Sequence, residues 1–163
     1  MKVFFRLTEQ RRATLAIAGA AVVLLCVSWL LLGPFSAASI HARSFSKAAA
    51  AQQMQETVTL NALTDFSWES AYAFAPYMDR QHMASYMGVS SARLPQTVSE
   101  GMLQLVFVQD GRIVCAVTGY PERLGYDFRF PDREDGVFLI TAEEQTVFIT
   151  TEQNGINVYE IAG

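Results

Sequence analysis

Phe66–Asp79, FSWESAYAFAPYMD, places five aromatic residues and one proline in fourteen positions. From Trp68 onward, Trp68, Ser70, Tyr72 and Phe74 alternate with Glu69, Ala71, Ala73 and Ala75. A repeat of two is the side-chain repeat of a β-strand. The spacing predicts a strand whose aromatic side fills a core and whose alanine side lets a second element approach closely. Pro76 has no N–H to give to a ladder and ends the strand. Asp79 is suited to cap a helix over RQHMASYM, in which Met83, Tyr86 and Met87 recur at helical spacing, and Gly88 is suited to stop it. The stretch therefore reads as strand, proline turn, short helix.

The chain beyond this stretch has the pattern of a β protein. Met102–Val108 and Arg112–Thr118 are apolar runs separated by Gln109-Asp110-Gly111, and Thr146–Thr151 and Ile156–Ile161 are separated by a turn containing Asn154-Gly155. Asp-Gly and Asn-Gly favour the two-residue turns that join antiparallel strands. Tyr126–Phe130 alternates rings with charges, and Val137–Thr141 is a further short apolar run set before another turn. The expected fold class is α+β: an N-terminal transmembrane helix followed by a small, mostly antiparallel β-sheet domain of five to seven strands, covered by one or two helices.

The transmembrane expectation comes from Ala13–Leu32, which contains no charged residue and is closed by Gly33-Pro34. Twenty helical residues rise about 30 Å, the thickness of a hydrocarbon core. Lys2, Arg6, Arg11 and Arg12 precede the run, and only Arg43 and Lys47 follow it closely. This bias predicts a single-pass protein of the inner or plasma membrane, with residues 1–12 cytoplasmic, 13–33 as anchor in the lipid bilayer, 34–55 as spacer, whose Ala/Gln/Ser-rich part Ile40–Gln55 reads equally as a short helix, and 56–163 as an extracytoplasmic domain. A cleaved signal peptide ending at Ser36-Ala37-Ala38 is the competing reading, although the run is longer than a usual signal core of roughly 7–15 residues. Cys26 follows Val23-Leu24-Leu25, which places bulky residues where a lipidation site needs small ones.

Residues 51–163 contain six arginines, no lysine and fifteen acidic residues, a net charge of −9. Such a surface repels phosphate backbones, which argues against nucleic-acid binding and favours a partner, such as an envelope protein, with a basic surface. The two cysteines, Cys26 and Cys115, fall in different parts of the chain and form no metal-binding pattern, so the sequence implies no cofactor, no structural zinc and no internal disulfide.

The pattern Asp65-Phe66-x-Trp68-Glu69-x-Ala71-Tyr72-x-Phe74-x-Pro76-Tyr77 is followed by a short helix and by Leu105-Val106-Phe107-Val108-x-Asp110-Gly111-x-Ile113. It resembles a motif of small uncharacterised bacterial exported proteins, often lipoproteins or membrane-anchored, in which it looks like F-x-W-[DE]-x-[AV]-Y-x-F-x-P-Y. The similarity covers roughly residues 57–118. It implies location and fold, and no activity.

Candidate chemistry is sparse. Trp68, Tyr72, Phe74 and Tyr77 form either a stacking platform or a core strand, and Tyr77, beyond the strand, is the one expected to meet a partner. Asp65 and Glu69 flank Trp68, and paired carboxylates can do acid–base work when one pKa is raised. His82 has Ser85 three residues on but no recognisable nucleophile motif around it. Cys115 reads as a small hydrophobe in a strand. FPDREDG, Phe130–Gly136, is rich in oxygen ligands without the spacing of a calcium loop. The expected function is a membrane-anchored interaction or accessory module of the bacterial envelope with Tyr77, Trp68, Glu69 and His82 as contact residues. The alternatives are a small-ligand-binding domain or a hydrolase using Asp65, Glu69 and His82.

Overall fold

The computed structural model describes residues 17, 19–24, 27–28, 36–52, 57–90, 94–131 and 135–162. The chain divides into two units, Met1–Ser36 and Ala37–Gly163. In the first unit the described residues 17, 19–24 and 27–28 are helical. The transmembrane helix expected over 13–33 is not carried by the structure: among the described residues no helix is long and apolar enough to cross a membrane. Residues 1–12, Cys26 and much of 13–33 lie outside the described residues.

The second unit is α+β, as the β-rich pattern with few helices implied, but it holds two sheets where one was expected. In chain order its elements are α1 (Ala37–Ala51), β1 (Thr57–Thr59), α2 (Leu60–Leu63), β2 (Ser70–Phe74), α3 (Arg80–Met87), β3 (Leu103–Gln109), β4 (Arg112–Gly119), α4 (Pro121–Leu124), β5 (Tyr126–Arg129), β6 (Val137–Thr141), β7 (Val147–Gln153) and β8 (Ile156–Ile161). One sheet has the order β4-β3-β2-β6 and the other β1-β7-β8-β5. All pairings are antiparallel except that of β5 with β8. The split arises because β6 and β7 do not form a hairpin. β6 pairs with β2, and the chain then crosses to the other sheet.

Two hairpins follow from local chemistry. Asp110 and Gly111 both have positive φ, 50° and 64°, and join β3 to β4. Asn154 and Gly155, at 54° and 81°, join β7 to β8. Two consecutive left-handed residues define the turn whose twist matches paired strands, and Asp-Gly and Asn-Gly tolerate it best. Helix α3 begins as its sequence indicated. The Asp79 carboxylate accepts from the N–H groups of Gln81 and His82, and Gly88, at φ 64°, closes the helix.

The main core lies between the sheets. Phe107 is fully buried, and three rings meet it edge-on: Phe45 at 5.2 Å, Trp68 at 5.3 Å and Phe66 at 5.5 Å. Edge-to-face contacts of this kind add about 0.5–1.5 kcal/mol each to the burial itself. Of the two readings of the Ala/Gln/Ser-rich stretch, short helix or spacer, the structure has the helix: the stretch runs into α1, whose Phe45 and Ala49 are fully buried in this core. Three side chains hold its C-terminal end. Asn157 Nδ2 donates to the carbonyls of Ala49, Ala50 and Gln52, Tyr159 Oη donates to Ala49 at 2.6 Å, and Tyr126 Oη bonds Ser46. The bonds from Asn157 and Tyr159 satisfy carbonyls that a helix end leaves without partners, and the Tyr126 bond joins two hydroxyls.

The aromatic stretch is arranged differently from its simple alternation. Ala71 and Ala73 face the main core, whereas Tyr72 and Phe74 face a second cluster under α3 with Met83, Met87 and Val106. Trp68 precedes the strand and turns into the main core. The strand has no solvent face, because one side is covered by the other sheet and the other by α3. Alternation therefore assigned the faces but not the direction of the core.

Candidate functional site

β2 ends at Phe74, paired with Val137 at the start of β6. Ala75 N–H donates to the Gly136 carbonyl at 2.8 Å, which ties the exit of β2 to the entrance of β6. Gly136 has φ 66°, and a Cβ there would stand 3.1 Å from Ala75 Cβ and 3.2 Å from Met78 Cε. Only glycine fits both the conformation and the space. Beyond this junction the sheets part and leave a slot of about 370 Å³, open to solvent.

The slot is walled by Phe128, Phe130, Phe138, Met102 and Leu103, with Pro76 and Pro131 at its rim. Its rings form a continuous array. Phe128 stacks on Tyr159 at 4.3 Å and on Phe130 at 6.2 Å, and Phe130 leans on Phe138 at 5.2 Å. Phe128 and Leu103 are buried, while Phe130, Phe138 and Met102 are half-buried and present faces to the opening.

Few polar groups line the slot, and one of them, Gln104 Oε1, is buried without a hydrogen-bond partner. Gln104 Nε2 donates to the Pro95 carbonyl at 2.7 Å and to Met83 Sδ. Asp127 belongs to the wall by position, but it alternates with Phe128, which points inward, so its carboxylate lies on the outer face of β5 beside Arg129 at 3.7 Å. Burial raises the Asp127 carboxyl above its ordinary range, against the opposing pull of the Arg129 guanidinium. Glu100 is the exposed acidic residue at the rim. The arrangement can hold an apolar ring. Among the described residues it brings together no nucleophile and no poised acid–base pair.

The residues singled out from the sequence fall into two separate places. Trp68 and Glu69 stand at the amino end of β2. Trp68 is 7% exposed, and its Nε1–H donates to Thr64 Oγ1. Glu69 accepts from Gln109 Nε2 and from Asp110 N–H, which clamps the β3–β4 turn. Tyr77 and His82 lie past the other end. Tyr77 is 56% exposed and holds φ 66°, an unusual conformation for a bulky residue, with its N–H donating to the Thr97 carbonyl. His82 meets Tyr86 edge-on at 5.2 Å, and Ser85 Oγ donates to the His82 carbonyl instead of to its ring. Asp65 accepts from Ser44 Oγ at 2.6 Å. Asp65, Glu69 and His82 each have a separate partner.

Cys115 is fully buried, and burial, with Asp65 nearby, pushes its thiol pKa up to about 12, which removes it as a nucleophile. In FPDREDG, residues 132–134 lie outside the described residues, and Asp135 accepts from Val137 N–H and Tyr86 Oη. Among the described residues no three His, Cys, Asp or Glu side chains group as metal ligands.

Sequence reasoning missed the slot and His41. The slot's rings come from β5, β6 and their connection, and only the Phe128-x-Phe130-Pro131 run hinted at an aromatic edge. His41 stacks on Phe66 at 4.5 Å, and its Nδ1 lies 2.9 Å from the Val114 carbonyl. A carbonyl can only accept, so Nδ1 carries the proton.

Comparison with known proteins brings no match: no family model, no curated protein and no solved structure is similar to this chain. The resemblance over residues 57–118 gains no support from them.

Proposed function

We propose that the domain is a protein-interaction module that takes an apolar, ring-sized side chain of its partner into the slot between the sheets. The observation that carries this reading is the half-buried Phe130–Phe138 wall, open to solvent on the side of the slot where rings, and not polar side chains, form the lining. Such a surface gains by burying an apolar group, at about 25 cal/mol per Å² removed from water. The acidic balance of residues 51–163 supports a partner with a basic surface. The separate engagement of Asp65, Glu69 and His82 speaks against the hydrolase reading. A free small ligand is the second reading, because the slot's volume falls at the low end of ligand sites, which run from about 300 to 1,000 Å³.

The test is a titration of the full-length chain with indole and with N-acetyl-tryptophan amide, followed by amide chemical shifts. Binding near 1 mM, about −4 kcal/mol, is expected for so small a probe. Shifts should centre on Leu103, Phe128, Phe130 and Phe138 and vanish in Phe130→Ala. A probe that leaves these amides unmoved overturns the reading. Strong preference for free indole over the amide favours the small-ligand reading.

A further inference from the structure

β6 is an edge strand, and the direction of its main chain can be read from its two ends. Ala75 N–H donates to Gly136, and Ala142 N–H donates to the Glu69 carbonyl at 2.9 Å. Alternation between these points turns the main-chain groups of 138 and 140 toward β2 and those of Val137, Leu139 and Thr141 outward. Two of the outward N–H groups are covered by carboxylates. Asp135 Oδ1 accepts from Val137 N–H at 3.2 Å, and Glu144 Oε2 from Thr141 N–H at 3.4 Å. Between these two latches lies Leu139, 46% exposed, with its main chain facing out.

We infer that β6 accepts an added strand from its partner: an antiparallel, extended segment with basic residues opposite Asp135 and Glu143 and an apolar ring opposite Phe138. This rests on the slot reading above, since Val137 and Phe138 belong both to β6 and to the slot wall. Strand addition supplies main-chain hydrogen bonds for affinity and uses a neighbouring pocket for specificity. The latches cover the N–H groups while the edge is free, as edge strands must be protected. On docking, partner carbonyls replace Asp135 and Glu144 on these N–H groups, and the released carboxylates, with Glu143 beside Glu144 in sequence, draw the partner's cations to the two ends of the strand.

Charge decides the occupant. Residues 135–146 carry Asp135, Glu143 and Glu144 and no basic residue. A second copy pairing antiparallel about Leu139 would bring Asp135 of each chain, just before the strand, to the end where Glu143 and Glu144 of the other follow it, and like charges brought together are destabilising. A strand with lysine or arginine at those two places turns both repulsions into attractions.

The probe is a peptide, acetyl-Lys-Thr-Val-Thr-Val-Phe-Val-Thr-Lys-amide, titrated into the full-length chain beside the same peptide with glutamate at both ends. The lysine peptide is expected to shift the Val137, Leu139 and Thr141 amides and to bind at least about tenfold more tightly than the glutamate peptide. Leu139→Pro removes an outward N–H that no native ladder bond uses and should abolish peptide binding while leaving indole binding intact. The double variant Asp135→Lys/Glu143→Lys should invert the charge preference. Overturning results are no lysine-peptide binding, undiminished binding to Leu139→Pro, an uninverted preference, or concentration-dependent loss of the Leu139 amide without peptide, which would show a second copy on the edge. If indole still binds while the peptide does not, strand addition fails and the slot reading stands; if neither binds, both fail.

Discussion

At the amino end of β2, Trp68 is sealed against Phe107, Glu69 clamps the neighbouring turn, and Asp65 holds Ser44 of α1. At the carboxyl end the same sheet parts from its neighbour. Phe130 and Phe138 remain half-buried, and Tyr77 stands exposed in a left-handed conformation. The two ends contain similar residue types, rings next to carboxylates. They differ in whether those groups are used up by the fold. At one end every candidate group has an internal partner, and at the other an apolar surface is left uncovered. A residue type suggests chemistry, but the surface a side chain keeps toward solvent after its internal contacts are made is what leaves it available for binding.

This contrast can be broken by substitution. The largest effect is expected at the closed end, where Trp68→Ala removes a buried ring from the main core. Chemical denaturation should show a loss of about 3–5 kcal/mol. An unchanged midpoint would mean that this end is not closed. Phe130→Ala, at the open end, removes a half-buried ring and should cost about 1–2 kcal/mol while eliminating indole binding. A loss as large as that of Trp68→Ala would make the slot wall a core element. Glu69→Ala should cost less than about 1 kcal/mol, because its hydrogen bonds are exposed, and amide exchange at Asp110 should rise.

The smallest effect concerns pH. Burial raises the Asp127 carboxyl, so the folded state holds this proton more tightly than the unfolded chain does. Stability from this group is therefore present at low pH and is lost as pH rises through its raised folded value. Asp127→Asn should raise the denaturation midpoint at neutral pH, with the gain shrinking as pH falls below the ordinary carboxylate range. A gain that grows on acidification would mean that Arg129 dominates the site.

Local features of the fold were legible in the sequence because they depend on a few adjacent residues. Asp110-Gly111 and Asn154-Gly155 specify their turns through backbone conformation, and Asp79 and Gly88 bound α3 for the same kind of reason. The partition into two sheets was not legible. The short Thr141-to-Val147 connection has the composition of a hairpin turn, and nothing within it shows that β6 prefers β2. Helix α1 was obscure because Phe45 is the one large apolar residue in its buried face, and alanine reads equally well as spacer. The candidate site was illegible as a whole. Its walls come from β2, β3, β5 and β6, and the rings that define it meet only after the sheets have packed.

The attachment of α1 also has a consequence for the order of events during synthesis. The carbonyls of Ala49 and Ala50 wait for Asn157 and Tyr159, over a hundred residues later and in the last strand. The helix emerges early and its end is secured last: its Phe45 face can meet Phe107 and Phe128 before β8 exists, but its last carbonyls stay unbonded until β8 arrives. Contacts this distant in sequence slow folding. A nascent chain halted before β8 would leave the end of the helix unanchored and the buried faces of β5 and β7 without Tyr159, which gives this domain a stage at which a chaperone has something to hold.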